Sequence, residues 1–564
     1  MIEEIAEKAR KALLAKYSLK ELTMEWRRPQ EKAHGDIATA VALQIAKDVK
    51  KKPQEIAQAL CAELQKSPDV ERAEVAGAGY VNVWLTPEAL LKELSRTHSV
   101  CLPQKQRKKE APVVIEYSGP NIAKPLGIHH ILSTVIGQVL VNLHRHLGYS
   151  VVATNHFGDW GTQFGKLSEA YSRWGEGPIE EYSIDQLLSL YVRFHDEAEK
   201  DPSLEDAARA SFRKLEEGDP AMRTFWKATV SITMDAINCL YKRLHVHFDC
   251  ENGESFYEKM MAPILEEGKK KQVIVPGEKG AFVVEFPDEQ LPPAVVLKAD
   301  GATIYLTRDL ATVRYRIETW HPREILYVVD RAQELYFRQI FATVRHLGWD
   351  LPALEHVVFG RMRFADGSMS TRKGNIVRLE SVLDEAVERA GKVIAEHGEG
   401  IQTDDRAALQ EMMGVGAVVY GILSQNRKMD MQFDWQKALS LEGNSAPYLQ
   451  YTHARARSVL RKADLQDAPQ PMGLDALTDR ERSLTGVLLQ FADVLEEARA
   501  QRMPHTLANY LFSLCQEFNS FYNVEPILKA EGSQRSLRLF LTSLTAMVIK
   551  TGAELLTLRV PDRM

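Results

Sequence analysis

The stretch from Val113 to Leu167 constrains the fold most. Val113, Val114 and Ile115 form a β-branched run, the turn-rich segment EYSGPNIAKPLGI follows, and an apolar helical pattern begins at about His129. That order predicts a strand, a tight loop and a helix N-terminus. A helix start presents free backbone N–H groups and the positive end of a dipole, a seat for a phosphate. His129, His130 and Lys124 stand around the turn. Donors aimed at a phosphate are what phosphoryl or nucleotidyl chemistry requires, because its catalysis is mostly positioning and charge stabilisation.

Strand-like and helix-like segments continue to alternate after this block. VVATNHFGDWG (Val151 to Gly161) reads as a strand ending in a glycine-rich loop, and Ser168 to about Val273 is mostly amphipathic helix. VVLKADGATIYLTRDLATVRYR (Val295 to Arg316) reads as strand, turn, strand, helix. EILYVVD (Glu324 to Asp330) and HVVFG (His356 to Gly360) complete the strands, separated by a helix. The alternation predicts an α/β, doubly wound, Rossmann-like parallel sheet, with GDWG, YLTRD and DRAQ at the ligand-bearing carboxyl ends of its strands. Beyond Leu379 the strand signals vanish and the rest reads as helix.

Before the sheet, the first hundred residues read as a small α+β unit. Ile2, Ile5, Ala9, Ala12 and Leu13 share one helical face, HGDIATAVALQIAK looks like a turn feeding a second helix, and GAGYVNVWLT alternates like a half-buried strand. LPQKQRKKEAP (Leu102 to Pro112) is basic and Pro-flanked, and a solvated tether is favoured over an RNA contact. The expected division is an N-terminal unit with linker at 1–108, a catalytic domain at 109–380 with a helical insertion at about 168–290, a helical region at 381–445 and an all-α domain at 446–564.

The words SGPNIAKP and GDWGTQFG resemble arginyl-tRNA synthetases, and the block around His130 resembles the first signature of class I aminoacyl-tRNA synthetases. That signature reads His-x-Gly-His. Here Gly127, Ile128, His129 and His130 stand, so only His130 keeps a standard position. The second signature, Lys-Met-Ser-Lys-Ser, has DGSMSTRKGNIVRL in its place: Met369 and Ser370 remain, but Ser368 and Thr371 replace both lysines, with Arg372 and Lys373 adjacent. Lysines there neutralise charge on the phosphates, so a cation must come from elsewhere. Family members lacking the usual signature keep a lysine at the position of Lys124. The resemblance therefore implies Lys124, His129, His130 and Lys373 as catalytic groups, and Pro125, Gly127, His129, His130, Met369, Ser370, Thr371, Arg372 and Lys373 around ATP.

A guanidinium is flat, always charged and best read by carboxylates in its own plane. Glu116 and Asp309 are the candidates, and the resemblance implies that Tyr305 joins them, that Asn121 and Gln333 hold the α-amino and carboxylate groups, and that Gly119 falls where some members have serine. Successive side chains on a helix diverge by about 100°, so His129 and His130 are not expected to face one ligand together. For RNA, Tyr80 and Asn82 resemble part of the extra N-terminal domain of these synthetases. Tyr448, Tyr451, Arg455 and Arg457 interleave aromatic with basic residues in GNSAPYLQYTHARARSVLRKA, which resembles the opening of their anticodon-binding domain.

The balance of 71 Lys+Arg against 77 Asp+Glu gives −6, so a nucleic acid would be held by local basic patches and not by the overall field. Five cysteines without a CxxC pair favour reduced thiols in a cytosol-like compartment. His245, His247 and Cys250 could be imagined as zinc ligands, but a short strand with side chains on alternate faces accounts for them more simply, and no metal site is expected. MIEEIAEKARK lacks the apolar core of a signal peptide, and no apolar run reaches the ~18 residues of a membrane span. The expected protein is a cytoplasmic monomer using tRNA, L-arginine and ATP with Mg²⁺ as substrates, with no tightly bound cofactor. The competing expectation is a non-catalytic relative that binds tRNA or arginine, for which Gly127, Ser368 and Thr371 speak; a synthetase for an aliphatic amino acid fails on the two carboxylates, whose unpaired burial costs several kcal/mol.

Overall fold

The computed structural model describes residues 2–29, 34–107, 110–299, 304–365, 377–397, 401, 403, 405–471 and 476–564. Its first unit contains α1 (Ile2–Tyr17), β1 (Ile37–Thr39), α2 (Val41–Val49), α3 (Pro53–Leu64), β2 (Val70–Ala76), β3 (Tyr80–Leu85) and α4 (Pro87–Val100). Ile5, Ala9 and Leu13 on α1 are buried at helical spacing. The strands form an antiparallel sheet in the order β1-β3-β2. The HGD segment thus enters a short strand before α2, because Ile37 and Thr39 pair with Val83 and Val81.

This unit is not tethered loosely. Arg482, in the C-terminal helices, pairs with Asp36 at 2.8 Å and Glu71 at 2.5 Å. Past α4 the chain docks along the next domain: Gln104 N–H donates to the His146 carbonyl (2.8 Å) and Arg107 N–H to that of Gly148 (2.8 Å), while the Arg107 guanidinium lies 4.2 Å from the Tyr149 ring. The expected tether is therefore solvent-exposed along its described side chains, as the composition suggested, but docked through its backbone. Its described backbone finds partners on the domain it was thought merely to precede.

The central sheet is parallel. Its elements are β4 (Val113–Glu116), α5 (His130–His146), β5 (Val151–Asn155), α6 (Thr162–Trp174), α7 (Ile184–Ala198), α8 (Ser203–Glu217), α9 (Pro220–Arg243), β6 (Cys250–Glu251), α10 (Met261–Lys270), β7 (Val275–Pro276), β8 (Phe282–Phe286), β9 (Leu291–Leu297), α11 (Tyr305–Trp320), β10 (Glu324–Tyr327), α12 (Glu334–His346), β11 (Ala353–His356) and β12 (Met362–Phe364). The strand order β11-β10-β4-β5-β6 puts β4 in the middle. The chain leaves β4 toward β5 and later returns to its other side as β10, so the crevice between the carboxyl ends of β4 and β10 is a topological switch point, where ligands of such sheets bind. Val113, Val114 and Ile115 are fully covered, as expected of a strand walled by helices on both faces.

Several details differ from expectation. YLTRD does not end a sheet strand: β9 belongs to a separate antiparallel sheet, β7-β8-β9, and Tyr305 already opens α11. The insertion is not one helical block. Helices α6 to α9 leave and return at β6, and α10 with β7 to β9 makes a second excursion. His245 has left-handed φ (55°) just after α9, and only Cys250–Glu251 are strand, so the strand that was to explain His245 and His247 is absent there. The predicted strand at His356–Gly360 lies mostly past β11. Strand signals also do not vanish after Leu379, since β13 (Met431–Phe433) pairs in parallel with β12.

The remainder is helical: α13 (Leu379–Glu396), α14 (Arg406–Leu423), α15 (Trp435–Ala438), α16 (Ala446–Lys462), α17 (Asp479–Leu488), α18 (Phe491–Ala500), α19 (Pro504–Val524) and α20 (Gly532–Leu555). Leu507, Leu511, Leu514, Phe518 and Phe521 recur at three- and four-residue spacing on α19 and are fully buried. Among the described residues no helix is long and apolar enough to cross a membrane.

Candidate active site

The switch-point crevice is built from four stretches of chain. Glu116 ends β4, and the SGPN loop follows with Ser118 and Gly119 in left-handed backbone (φ 72° and 59°). This loop is locked to the GDWG loop after β5: Gly158 N–H donates to the Pro120 carbonyl (2.9 Å) and Ile122 N–H to that of Gly158 (3.1 Å). A side chain at Gly158 would strike the Asn121 carboxamide, with a Cβ only 2.6 Å from its Oδ1, so the glycine is what lets Asn121 sit here. From the other side come Asp330 and the exposed Gln333 after β10, and the first turn of α11 contributes Tyr305 (68 % exposed) and Asp309.

Glu116 and Asp309 are neighbours, but they are not equivalent. Glu116 is already ion-paired with the fully buried guanidinium of Arg316, two turns along α11 from Asp309. Among the described residues Asp309 makes no ion pair with a lysine or arginine. It accepts a hydrogen bond from the Tyr336 hydroxyl, and His156 Nε2 lies 3.9 Å away. Burial holds that histidine down to about 4, so it is neutral at pH 7. Burial also pushes the Asp309 carboxyl up to about 7, with the Glu116 charge adding to the rise and Tyr336, Arg316 and Arg308 opposing it. A desolvated carboxylate beside a second one lacks a cation of its own, and a guanidinium supplies the planar partner it needs.

At the nucleotide side, α5 begins at His130. The His129 and His130 rings lie together, centroids 4.0 Å apart, contrary to the divergence expected of two helical residues. His129 is the N-cap and already has helical backbone (φ −64°, ψ −22°), so the rings meet through their side-chain torsions and not through a break in the helix. His130 Nδ1 lies 3.1 Å from the Gly127 N–H and 3.2 Å from its carbonyl, and burial, reinforced by His129, lowers the ring to about 4. Both rings are thus neutral at pH 7. The N–H groups of His130 and Ile131 are taken by the Gly127 and Ile128 carbonyls (3.0 and 3.2 Å), so the helix start offers a phosphate less than the sequence suggested. Pro125 and Gly127 lie in the same loop, whose end is zipped to the chain just after the second signature: Ile128 N–H donates to the Val377 carbonyl and Leu379 N–H to that of Leu126, both at 2.8 Å. Met369, Ser370, Thr371, Arg372 and Lys373 lie outside the described residues.

Sequence comparisons agree along the whole chain. The family described as tRNA synthetases class I (R), catalytic domain, matches residues 92–435; the Arginyl tRNA synthetase N terminal domain matches 1–85, and the DALR anticodon binding domain 449–564. A curated arginine–tRNA ligase of Fusobacterium nucleatum is 39 % identical over 94 % of this chain and 93 % of its own length. The chain belongs to the arginyl-tRNA synthetase family. A second such ligase, from Chloroflexus aggregans, is 40 % identical over 93 % of each chain. The solved arginyl-tRNA synthetase of Thermus thermophilus superposes with a TM-score of 0.81 at 25 % identity, covering 100 % of both chains.

Within this arginyl-tRNA synthetase family fold, a second groove lies remote from the crevice. It measures about 1150 Å³ and lies in the C-terminal helices, lined by Tyr451, Arg455, Arg461, Lys462, Tyr522 and Lys529 among others. The Arg455 guanidinium sits between two rings, 4.8 Å from Tyr451 and 5.1 Å from Tyr522, and donates to Asn519 Oδ1 at 2.5 Å. Tyr448 and Arg457 do not line it. Tyr448 packs beside Asn519, and Arg457 is spent on the Gln466 carbonyl (2.7 Å) and Asp562 (3.4 Å). In the N-terminal sheet Tyr80 is 50 % exposed, whereas Asn82 is buried in the central strand and does not present its side chain to solvent.

Proposed function

We propose that this chain is an arginine–tRNA ligase: it activates L-arginine with ATP and transfers it to tRNA. The observation that carries the substrate is Asp309, a half-buried carboxylate that makes no ion pair with a lysine or arginine among the described residues, next to Glu116 at the switch point. The arginine carboxylate attacks the α-phosphorus of ATP, the α–β phosphoanhydride bond breaks and pyrophosphate leaves. A terminal ribose hydroxyl of the tRNA then attacks the arginyl carbonyl and AMP departs. Neither step needs a protein nucleophile, so the chain supplies geometry and charge. Glu116, Asp309 and Tyr305 read the guanidinium, while Asn121 and Gln333, with Gly119 beside them, hold the α-amino and carboxylate groups. His129, His130 and Lys124 face the phosphates, together with the second-signature residues Met369 to Lys373. Magnesium arrives with the nucleotide as part of the substrate.

Strong identity to curated ligases over nearly the full chain and the retained crevice residues leave the non-catalytic alternative without support, despite the altered signatures. We assign residues 1–108, 109–380, 381–445 and 446–564 as the tRNA-contacting, catalytic, stem-contacting and anticodon-binding parts of a cytoplasmic monomer. Tyr80 and the Tyr451–Arg455 groove are the RNA contacts; Tyr448 supports the groove through Asn519, while Asn82 is buried and Arg457 is bonded elsewhere. A chain with net charge −6 concentrates Arg406, Arg455, Arg461, Lys462, Lys529 and Arg563 on this groove, the local patch an RNA backbone requires.

Two expected results follow from these placements. Arg455→Ala removes a cation held between two rings, so tRNA affinity falls by about 1–3 kcal/mol, as for loss of one base-stacking group, while the arginine Kd is unchanged. Filter binding and calorimetry read the two quantities separately. The second concerns pH. Asp309 carries its negative charge only above about pH 7, and that charge is what the guanidinium binds. Arginine affinity is therefore full at pH 8 and falls as pH drops through 7, approaching tenfold per pH unit below it. An arginine KM that stays flat between pH 5.5 and 8 contradicts the placement of Asp309.

A further inference from the structure

We infer that Tyr191, on insertion helix α7, is a positioning residue for Lys124. The Lys124 ammonium lies 4.6 Å from the centre of the Tyr191 ring, and among the described residues it makes no ion pair. Elsewhere the insertion does pair its lysines with acids: Lys166, nearby, is held by Glu205 at 2.7 Å. The difference matters chemically. A carboxylate would orient Lys124 but cancel the charge it must bring to the nucleotide. A ring face holds an ammonium by its quadrupole, more weakly and without neutralising it.

The ring is itself fixed. Leu187, Leu190 and Phe194 anchor α7 in the insertion core, Tyr191 stands at the edge of that stripe, and the His195 ring meets it edge-on at 4.7 Å. The same helix is tied to the phosphate side a second time. Asp185, in its first turn, pairs at 2.5 Å with Arg378, which bridges to Gly127 directly after the second signature. Helix α7 thus grips both ends of the nucleotide apparatus, and Tyr191 sets where the Lys124 charge stands before ATP arrives. A segment that looks like filler in the sequence thereby acts on the chemical step.

This inference rests on the reading that Lys124 serves the nucleotide, and its test separates the two claims. Single-turnover adenylate formation is measured, with tRNA present, for Tyr191→Leu, Tyr191→Met, Tyr191→Phe, Lys124→Ala and the Tyr191→Leu/Lys124→Ala double variant. Leucine and methionine keep apolar bulk but lose the ring, and are expected to lower the rate about 5- to 30-fold with the ATP KM changed by no more than about twofold. Phenylalanine keeps the ring and rescues most of the rate. In the Lys124→Ala background, Tyr191→Leu adds nothing further. An unaltered rate in the leucine and methionine variants, an equal loss in Tyr191→Phe, or multiplicative losses in the double variant would overturn the positioning role. If Lys124→Ala alone is near normal, it is the role of Lys124 that fails. The arginine Kd, measured on every variant, stays at the wild-type value, which a general loss of fold would not allow.

Discussion

Asp309→Asn weakens arginine binding by about 2–5 kcal/mol, roughly 30-fold to several thousand-fold, the range for truncating one side of a covered charge pair. The effect belongs to Asp309 and not equally to Glu116, because Glu116 is ion-paired with Arg316 whereas Asp309, among the described residues, is in contact with the Tyr336 hydroxyl and a neutral His156 and makes no arginine or lysine pair. A guanidinium entering the crevice therefore gains most of its charge compensation from Asp309. The amide is nearly isosteric and can still accept from Tyr336, so the fold is kept while the charge is lost. Calorimetry at pH 8, where wild-type Asp309 is ionised, gives the cleanest comparison. ATP affinity should barely change. An arginine Kd unaltered in Asp309→Asn would remove this residue from the site.

Lys124→Ala lowers the rate of arginine activation by about 10²–10³-fold with a modest change in the ATP KM. Ser368 and Thr371 stand where the second signature has lysines, so charge developing around the α-phosphorus must be met from elsewhere. Lys124 lies in the loop between β4 and α5, on the same rigid turn as Asn121 and His130, and its ammonium is held by a ring instead of a carboxylate. Its contribution grows as charge builds up and is smaller for bound ATP. Restoring lysine at Ser368 or Thr371 in the Lys124→Ala background recovers part of the loss. Near-normal single-turnover rates for Lys124→Ala, together with collapse for Lys373→Ala, would transfer the role to the second signature.

The sequence revealed this site unevenly, for identifiable reasons. The β4–loop–α5 block was legible because a β-branched run, a Gly/Pro/Asn turn and an apolar helical period are local signals, and Glu116, Asn121 and His130 ride on them. The partners that decide how those residues behave were not legible. Arg316 shares α11 with Asp309, whereas Tyr336 lies on α12 and His156 just after β5, and their contacts with Glu116 and Asp309 form only when these elements pack. Tyr191 is further still from any motif. The start of α11 was misread because Ile304 and Tyr305 continue an apolar alternation that looks like a strand, yet the helix begins there. In the C-terminal domain the period itself could have separated the candidates. Tyr451, Arg455 and Lys462 recur at four- and seven-residue spacing and share the groove, while Arg457 is two positions from Arg455 and turns to Asp562. The docked linker and the β12–β13 pair involve few residues with weak local preference, and long-range contacts alone fix them.

The crevice is expected to activate arginine even though both class I signatures are altered. Arginine-dependent pyrophosphate exchange, run with and without tRNA, tests it most directly. Exchange is expected with L-arginine and ATP when tRNA is present, and none with an aliphatic amino acid, which would leave Asp309 and Glu116 without the guanidinium between them. No exchange with arginine under either condition, or exchange driven by an uncharged side chain, would contradict it.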